Sequence, residues 1–230
     1  MSRLLLRVML CAAVFVSPAV RAQGYVGLGP DYAMTTAPLI SFANMAVMNN
    51  NSMNTGLRSR SKTARMEAPP AVQRNALELA RIFPASSQAA MTQAFQHSMD
   101  VYQQIAAKMG WQRDDLDGAM AAFIVGNYMV FADREVRDEE FAAVAEQLRQ
   151  GGGTRRLAEK QSAETIRNLY EKSAMVGAFM ALAYKSQQQK VQPERIAANL
   201  RNSARENLKL VLGAEPERLR IDERGVMLVK

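Results

Sequence analysis

From Pro69-Pro70 onward, apolar side chains recur at helical spacing, and the polar positions between them mark the faces turned to water. Val72, Ala76, Leu79 and Phe83 define a first helix between the proline pair and Pro84. Ser86 or Ser87 caps a second, whose stripe of Met91, Phe95, Tyr102, Ile105 and Met109 ends at Gly110 and whose other face carries Gln93, Gln96, Asp100 and Gln104. Asp114 caps a third helix in which Leu116, Met120, Phe123, Ile124, Tyr128 and Phe131 leave almost no polar face, the pattern of a helix at the centre of a bundle.

Asp138 opens a fourth helix along Phe141, Val144, Ala145 and Leu148, which Gly151-Gly152-Gly153 ends. A fifth and longest is expected from about Arg155 to Gln188, with Ile166, Leu169, Val176, Met180 and Tyr184 inward. Its Ala174, Gly177, Ala178 and Ala181 admit a neighbour at close range. The sixth starts with Pro193 at its first turn, carries Ile196, Leu200, Ala204, Leu208 and Val211, and stops at Gly213. Beyond Pro216, Leu219 to Ile221 and Val226 to Val229 flank Asp222-Glu223-Arg224-Gly225, a hairpin pattern. Short connections and the absence of any solenoid-length repeat predict an all-α fold over residues 69–230: an irregular multi-helix bundle with a small C-terminal β-hairpin.

Neither period runs through residues 23–68, where Gly24, Gly27 and Gly29, the run Asn49-Asn50-Asn51-Ser52-Met53-Asn54, and then Arg58, Arg60, Lys62 and Arg65 suggest a flexible tail or linker. Residues 1–22 read as a signal peptide: Arg3 and Arg7 around the apolar run from Leu4 to Val16, then Pro18, then Val20-Arg21-Ala22 before Gln23. That run is shorter than the roughly 20 residues of a membrane span, so cleavage after Ala22 and a periplasmic or secreted chain are expected, with no transmembrane segment afterwards. Leu10 before Cys11 does not fit a lipidation site.

Cleavage changes the charge picture. The chain holds 29 Lys plus Arg against 22 Asp plus Glu, a formal charge of +7, and loss of Arg3, Arg7 and Arg21 lowers it to +4. That balance is too small and too mixed to argue for nucleic acid. The only cysteine leaves as well, so stability rests on packing rather than disulfides.

Candidate chemistry is sparse. The one histidine, His97, lies among Gln93, Gln96 and Asp100 on a wet helix face, away from any nucleophile. With one histidine and no cysteine after cleavage, a zinc site lacks ligands. Asp115-Leu116-Asp117-Gly118 resembles part of a calcium loop, but with Gly118 sixth the first ligand would be Arg113 and the twelfth Ile124. Those acids read better as charges at a helix N-terminus. Ser59-Arg60-Ser61-Lys62 matches the SxxK pattern of penicillin-recognising enzymes without their other motifs. Glu164 and Glu171, a conceivable carboxylate pair for glycan hydrolysis, fall on the polar side of the fifth helix, where solvation explains them. Met34, Met45, Met48, Met53 and Met66 offer thioethers to copper(I), in a chain whose fifteen methionines are scattered.

Phe123 to Tyr128, Leu169-Tyr170-Glu171 leading into Met175-Val176-Gly177-Ala178-Phe179-Met180, and Ala197 to Leu219 carry a resemblance, above all in Asn199-Leu200-Arg201, Leu212-Gly213, Pro216 and Arg218-Leu219-Arg220-Ile221. Over about residues 70–224 the chain resembles an uncharacterised family of secreted bacterial helical proteins, of the domain-of-unknown-function 6683 type. The resemblance implies export and a helical domain, and carries over no activity, cofactor or catalytic residue. The expected role is therefore a non-enzymatic interaction or structural module of the cell envelope, partnered by an envelope or secreted protein. The alternatives are a peptidoglycan-directed hydrolase using carboxylates, and copper(I) binding by the Met-rich tail.

Overall fold

The computed structural model describes residues 68–229. The leader of residues 1–22, the tail up to residue 67 with its methionines, and Ser59-Arg60-Ser61-Lys62 lie outside the described residues. Seven helices and one two-stranded antiparallel sheet occupy the described residues: α1 (Val72–Ala80), α2 (Ala85–Lys108), α3 (Leu116–Ala132), α4 (Asp138–Gly151), α5 (Gly153–Lys160), α6 (Ala163–Gln189), α7 (Glu194–Leu212), then β1 (Leu219–Asp222) and β2 (Gly225–Leu228). The fold is the expected helical bundle with a terminal hairpin.

α3 and α6 form its axis. Every residue of α3 from Leu116 to Val130 is buried, as its nearly unbroken apolar composition requires. The two helices cross with their backbones touching: a Cβ on Gly126 would sit 2.0 Å from the Gly177 carbonyl oxygen, and one on Gly177 would sit 2.3 Å from the Ala122 carbonyl carbon. Only glycine fits at either position, so the small-residue run of the longest helix marks its contact. Phe95 of α2 packs on Phe179 of α6 with ring centroids 4.9 Å apart. α7 joins α3 through a buried amide pair, Asn207 Nδ2 donating to Asn127 Oδ1 at 2.9 Å while Asn127 Nδ2 donates to the Phe123 carbonyl at 2.7 Å.

The hairpin pairs Asp222 with Gly225 around Glu223-Arg224, with Gly225 at φ +96. Both its edges are covered by side chains. On β2, Gln147 of α4 accepts from the Val226 N–H at 2.8 Å and donates to its carbonyl at 3.0 Å; on β1, Arg134 donates to the Ile221 carbonyl at 2.9 Å. Side chains that occupy edge groups in this way blunt a sheet edge against further pairing.

Several boundaries differ from the sequence expectation. The expected helix from Arg155 to Gln188 is two helices, because Gln161 is extended and the Ser162 hydroxyl accepts the Thr165 N–H, starting α6 afresh. The triple glycine is a tight corner in which Gly152 alone, at φ +61, separates α4 from α5. α1 ends at Ala80, since Pro84 disfavours a helical Phe83. Pro84, not Ser86 or Ser87, is the N-cap of α2. Asp115, not Asp114, caps α3, its side chain accepting the Asp117 N–H, while Asp114 takes a left-handed φ of 62.

Candidate functional site

α3 is apolar on all sides, so whatever stands in its first turn is buried with it, and three of the four residues from Asp114 to Asp117 are aspartates. Asp115 and Asp117 are only 2% and 4% exposed. Carboxylates cannot stay there alone, and each finds a partner on a different helix. Arg149 of α4 donates to Asp115 Oδ2 at 2.5 Å, and Thr154 of α5 donates its hydroxyl to Asp117 Oδ1 at 2.5 Å. Arg167 of α6 grips both oxygens of Asp114 at 2.8 and 3.3 Å, and its Nε donates to the Ala68 carbonyl at 2.9 Å.

Aromatic rings close the knot. The Arg149 guanidinium lies 5.3 Å from the Trp111 ring centroid, and Trp111 meets Phe141 edge-on at 4.9 Å. A Cβ on Gly118 would strike the Trp111 ring at 2.6 Å, so glycine is what allows the indole to lie across the start of α3. Tyr102 of α2 points its hydroxyl at the Asp115 carbonyl, 3.4 Å away, and packs edge-on against Tyr170 of α6. Burial drives the Tyr102 phenol well above its ordinary range.

One member is poised to titrate. Burial pushes the Asp117 carboxyl up to about 6; the Thr154 hydrogen bond and Arg149 work against that rise, while the charges of Asp115 and Glu146 reinforce it. An acid holding its proton beside an ion-paired carboxylate has the form of an acid–base pair. Here Asp115 Oδ2 and Asp117 Oδ1 are each engaged by a side chain of another helix.

A second buried carboxylate corrects the sequence reading. Glu171 is completely buried, not solvated, because α1 packs over that side of α6. It accepts from the Ala71 N–H at 2.9 Å and from Asn75 Nδ2 at 2.7 Å, satisfying the start of a helix that has no side-chain cap of its own. Glu164, its supposed partner, is exposed and pairs with Arg74 at 2.9 Å. His97 is exposed on α2, as the helical register placed it.

Read locally, the acids at the start of α3 are helix-end charges, and nothing in the sequence near them points to Arg149, Thr154 or Arg167. The signal that Asp117 must be buried was present, since an acid in the first turn of an all-apolar helix has no wet side. Among the described residues, no group of three His, Cys, Asp or Glu side chains is placed to share a metal ion, and no helix is long and apolar enough to cross a membrane.

A model described as a family of unknown function, DUF6683, matches residues 1–229. The match includes the segment before Pro69, outside the roughly 70–224 span over which the sequence carries the resemblance. No curated protein and no solved structure matches the chain.

Proposed function

The chain belongs to DUF6683, a family of unknown function, and from that premise we propose that it is an exported, non-enzymatic structural or interaction module of the cell envelope. The observation that carries this reading is how the buried acids are used. Asp114, Asp115, Asp117 and Glu171 each bind a group on another helix or at the start of one, so they serve as ties within the bundle. A hydrolase working through carboxylates needs two of them turned toward a sugar, separated by roughly 5–10 Å. The leader-like residues 1–22, with small residues at Val20-Arg21-Ala22, support export.

Two readouts on one preparation test the proposal. The tagged full-length chain is expressed in a Gram-negative host, its mature N-terminus is read by mass spectrometry, and the purified protein is incubated with purified peptidoglycan. A mature protein beginning at Gln23 that releases no soluble muropeptide is expected. An uncleaved cytoplasmic product would overturn export. Muropeptide release abolished by Asp117→Asn would establish the hydrolase instead.

A further inference from the structure

α5 is an eight-residue helix hung between two breaks, the left-handed Gly152 before it and the extended Gln161 after it. Flanking Gly151 and Gly153 place no side chain at the leading joint, so little resists rotation there. Leu157 is buried, Ala158 is half-buried, and Thr154 reaches across to Asp117.

The charges around Asp117 do not balance. Asp115 lies beside it at the start of α3, Arg149 and Glu146 face it from α4, Thr154 is the contact from α5, and Tyr102 and the Asp114–Arg167 pair stand behind from α2 and α6. Arg149 is the cation that acts on Asp117, and its short contact goes to Asp115. An ionised Asp117 is therefore a second buried carboxylate sharing one guanidinium.

We infer that Asp117 and Thr154 form a proton-operated latch: with Asp117 protonated, α5 stays closed over the start of α3, and with Asp117 ionised, α5 loosens. The direction follows from linkage. Burial outweighs the Thr154 hydrogen bond, which by itself favours the ionised carboxylate, so the closed form holds the proton up to about pH 6, whereas an Asp117 opened to water has an ordinary value of 3.8. Between these values the closed form binds more protons than the open one, so rising pH favours opening. Above both, the closed form carries the full cost of the buried charge. The latch is a property of the bundle and stands whether or not the envelope reading does.

Hydrogen exchange followed by mass spectrometry on the full chain, at about pH 5 and about pH 7.5 with correction for intrinsic exchange, reads the latch directly. Peptides covering residues 151–161 are expected to lose protection about tenfold or more at the higher pH relative to peptides within Ala174–Tyr184 of α6. Equal protection of α5 at both pH values would overturn the latch. In Asp117→Asn, which keeps a hydrogen-bonding group and cannot ionise, α5 is expected to stay closed at both, and a persisting pH effect would assign it elsewhere. Carboxyl-carbon NMR of the unmutated protein needs no variant to fold. Titration of Asp117 near 6 supports the latch, and titration near 3.8 contradicts it.

Discussion

Over its middle turns α3 meets α6 through Ala122, Gly126 and Gly177, backbone against backbone; over its first turn it meets α4, α5 and α6 through three aspartates and the side chains that bind them. Both stretches are buried, yet they tolerate change differently. The crossing is governed by shape and responds to volume. The polar first turn is governed by charge and responds to protonation, because an unpaired buried carboxylate costs far more than a small void.

The crossing gives the largest expected losses. Phe123→Ala beside it removes a fully buried ring and should cost about 3–5 kcal/mol, with Met180→Ala about 2–5, measured by urea unfolding. Gly177→Ala adds one methyl against the Ala122 backbone and should cost about 3 kcal/mol, near the upper end of overpacking, since a helix must shift. If Gly177→Ala were neutral, the helices would not cross as described.

At the polar end, Arg149→Met leaves Asp115 without its guanidinium and should cost about 2–3 kcal/mol at neutral pH, with Arg149 itself only partly exposed. Much of that loss should be recovered in Arg149→Met combined with Asp115→Asn, since removing both charges removes the unpaired one. A double variant as unstable as the single one would mean that Arg149 acts by packing on Trp111 rather than by charge. At the small end, Gln96→Ala and His97→Ala on the wet face of α2 should each stay within about 0.5 kcal/mol by thermal unfolding.

The two stretches were also unequally legible. Gly177 with Ala174, Ala178 and Ala181 announces a close crossing, because the information lies within a few residues of one helix. The partners of the first turn lie 34, 37 and 53 residues away, on helices whose faces looked ordinary, and no local period ties Arg149 to Asp115 or Thr154 to Asp117. Glu171 failed for the same reason: its register on α6 is polar, and only the arrival of α1 buries it. The break at Gln161-Ser162 was missed because the helical period nearly resumes across it, although Ser162 is an ordinary N-cap. Elements whose ends carry proline or glycine, such as α7 and the hairpin, were found close to their true bounds.

The pH behaviour follows from opposing groups. Lys172 hydrogen-bonds Glu78 and holds its carboxyl low, and at Glu140 the Arg137 N–H and Arg134 outweigh a burial that would raise it. Such depressed acids stabilise the fold above their unfolded values and lose that contribution as pH falls through their folded ones. Asp117 runs the other way. Its raised carboxyl favours folding at low pH, and that advantage disappears as pH climbs from about 4 to about 6. Stability should therefore peak near pH 5.

That peak offers the most direct test of the central claim, that the acids at the start of α3 are structural ties, one of them buried at a cost. Urea unfolding of the wild type and of Asp117→Asn is compared at about pH 5 and about pH 7.5. The wild type is expected to lose about 1.4 kcal/mol on going to the higher pH, while Asp117→Asn holds the same stability at both. A wild type equally stable at the two pH values, or a loss that survives in Asp117→Asn, would contradict the account.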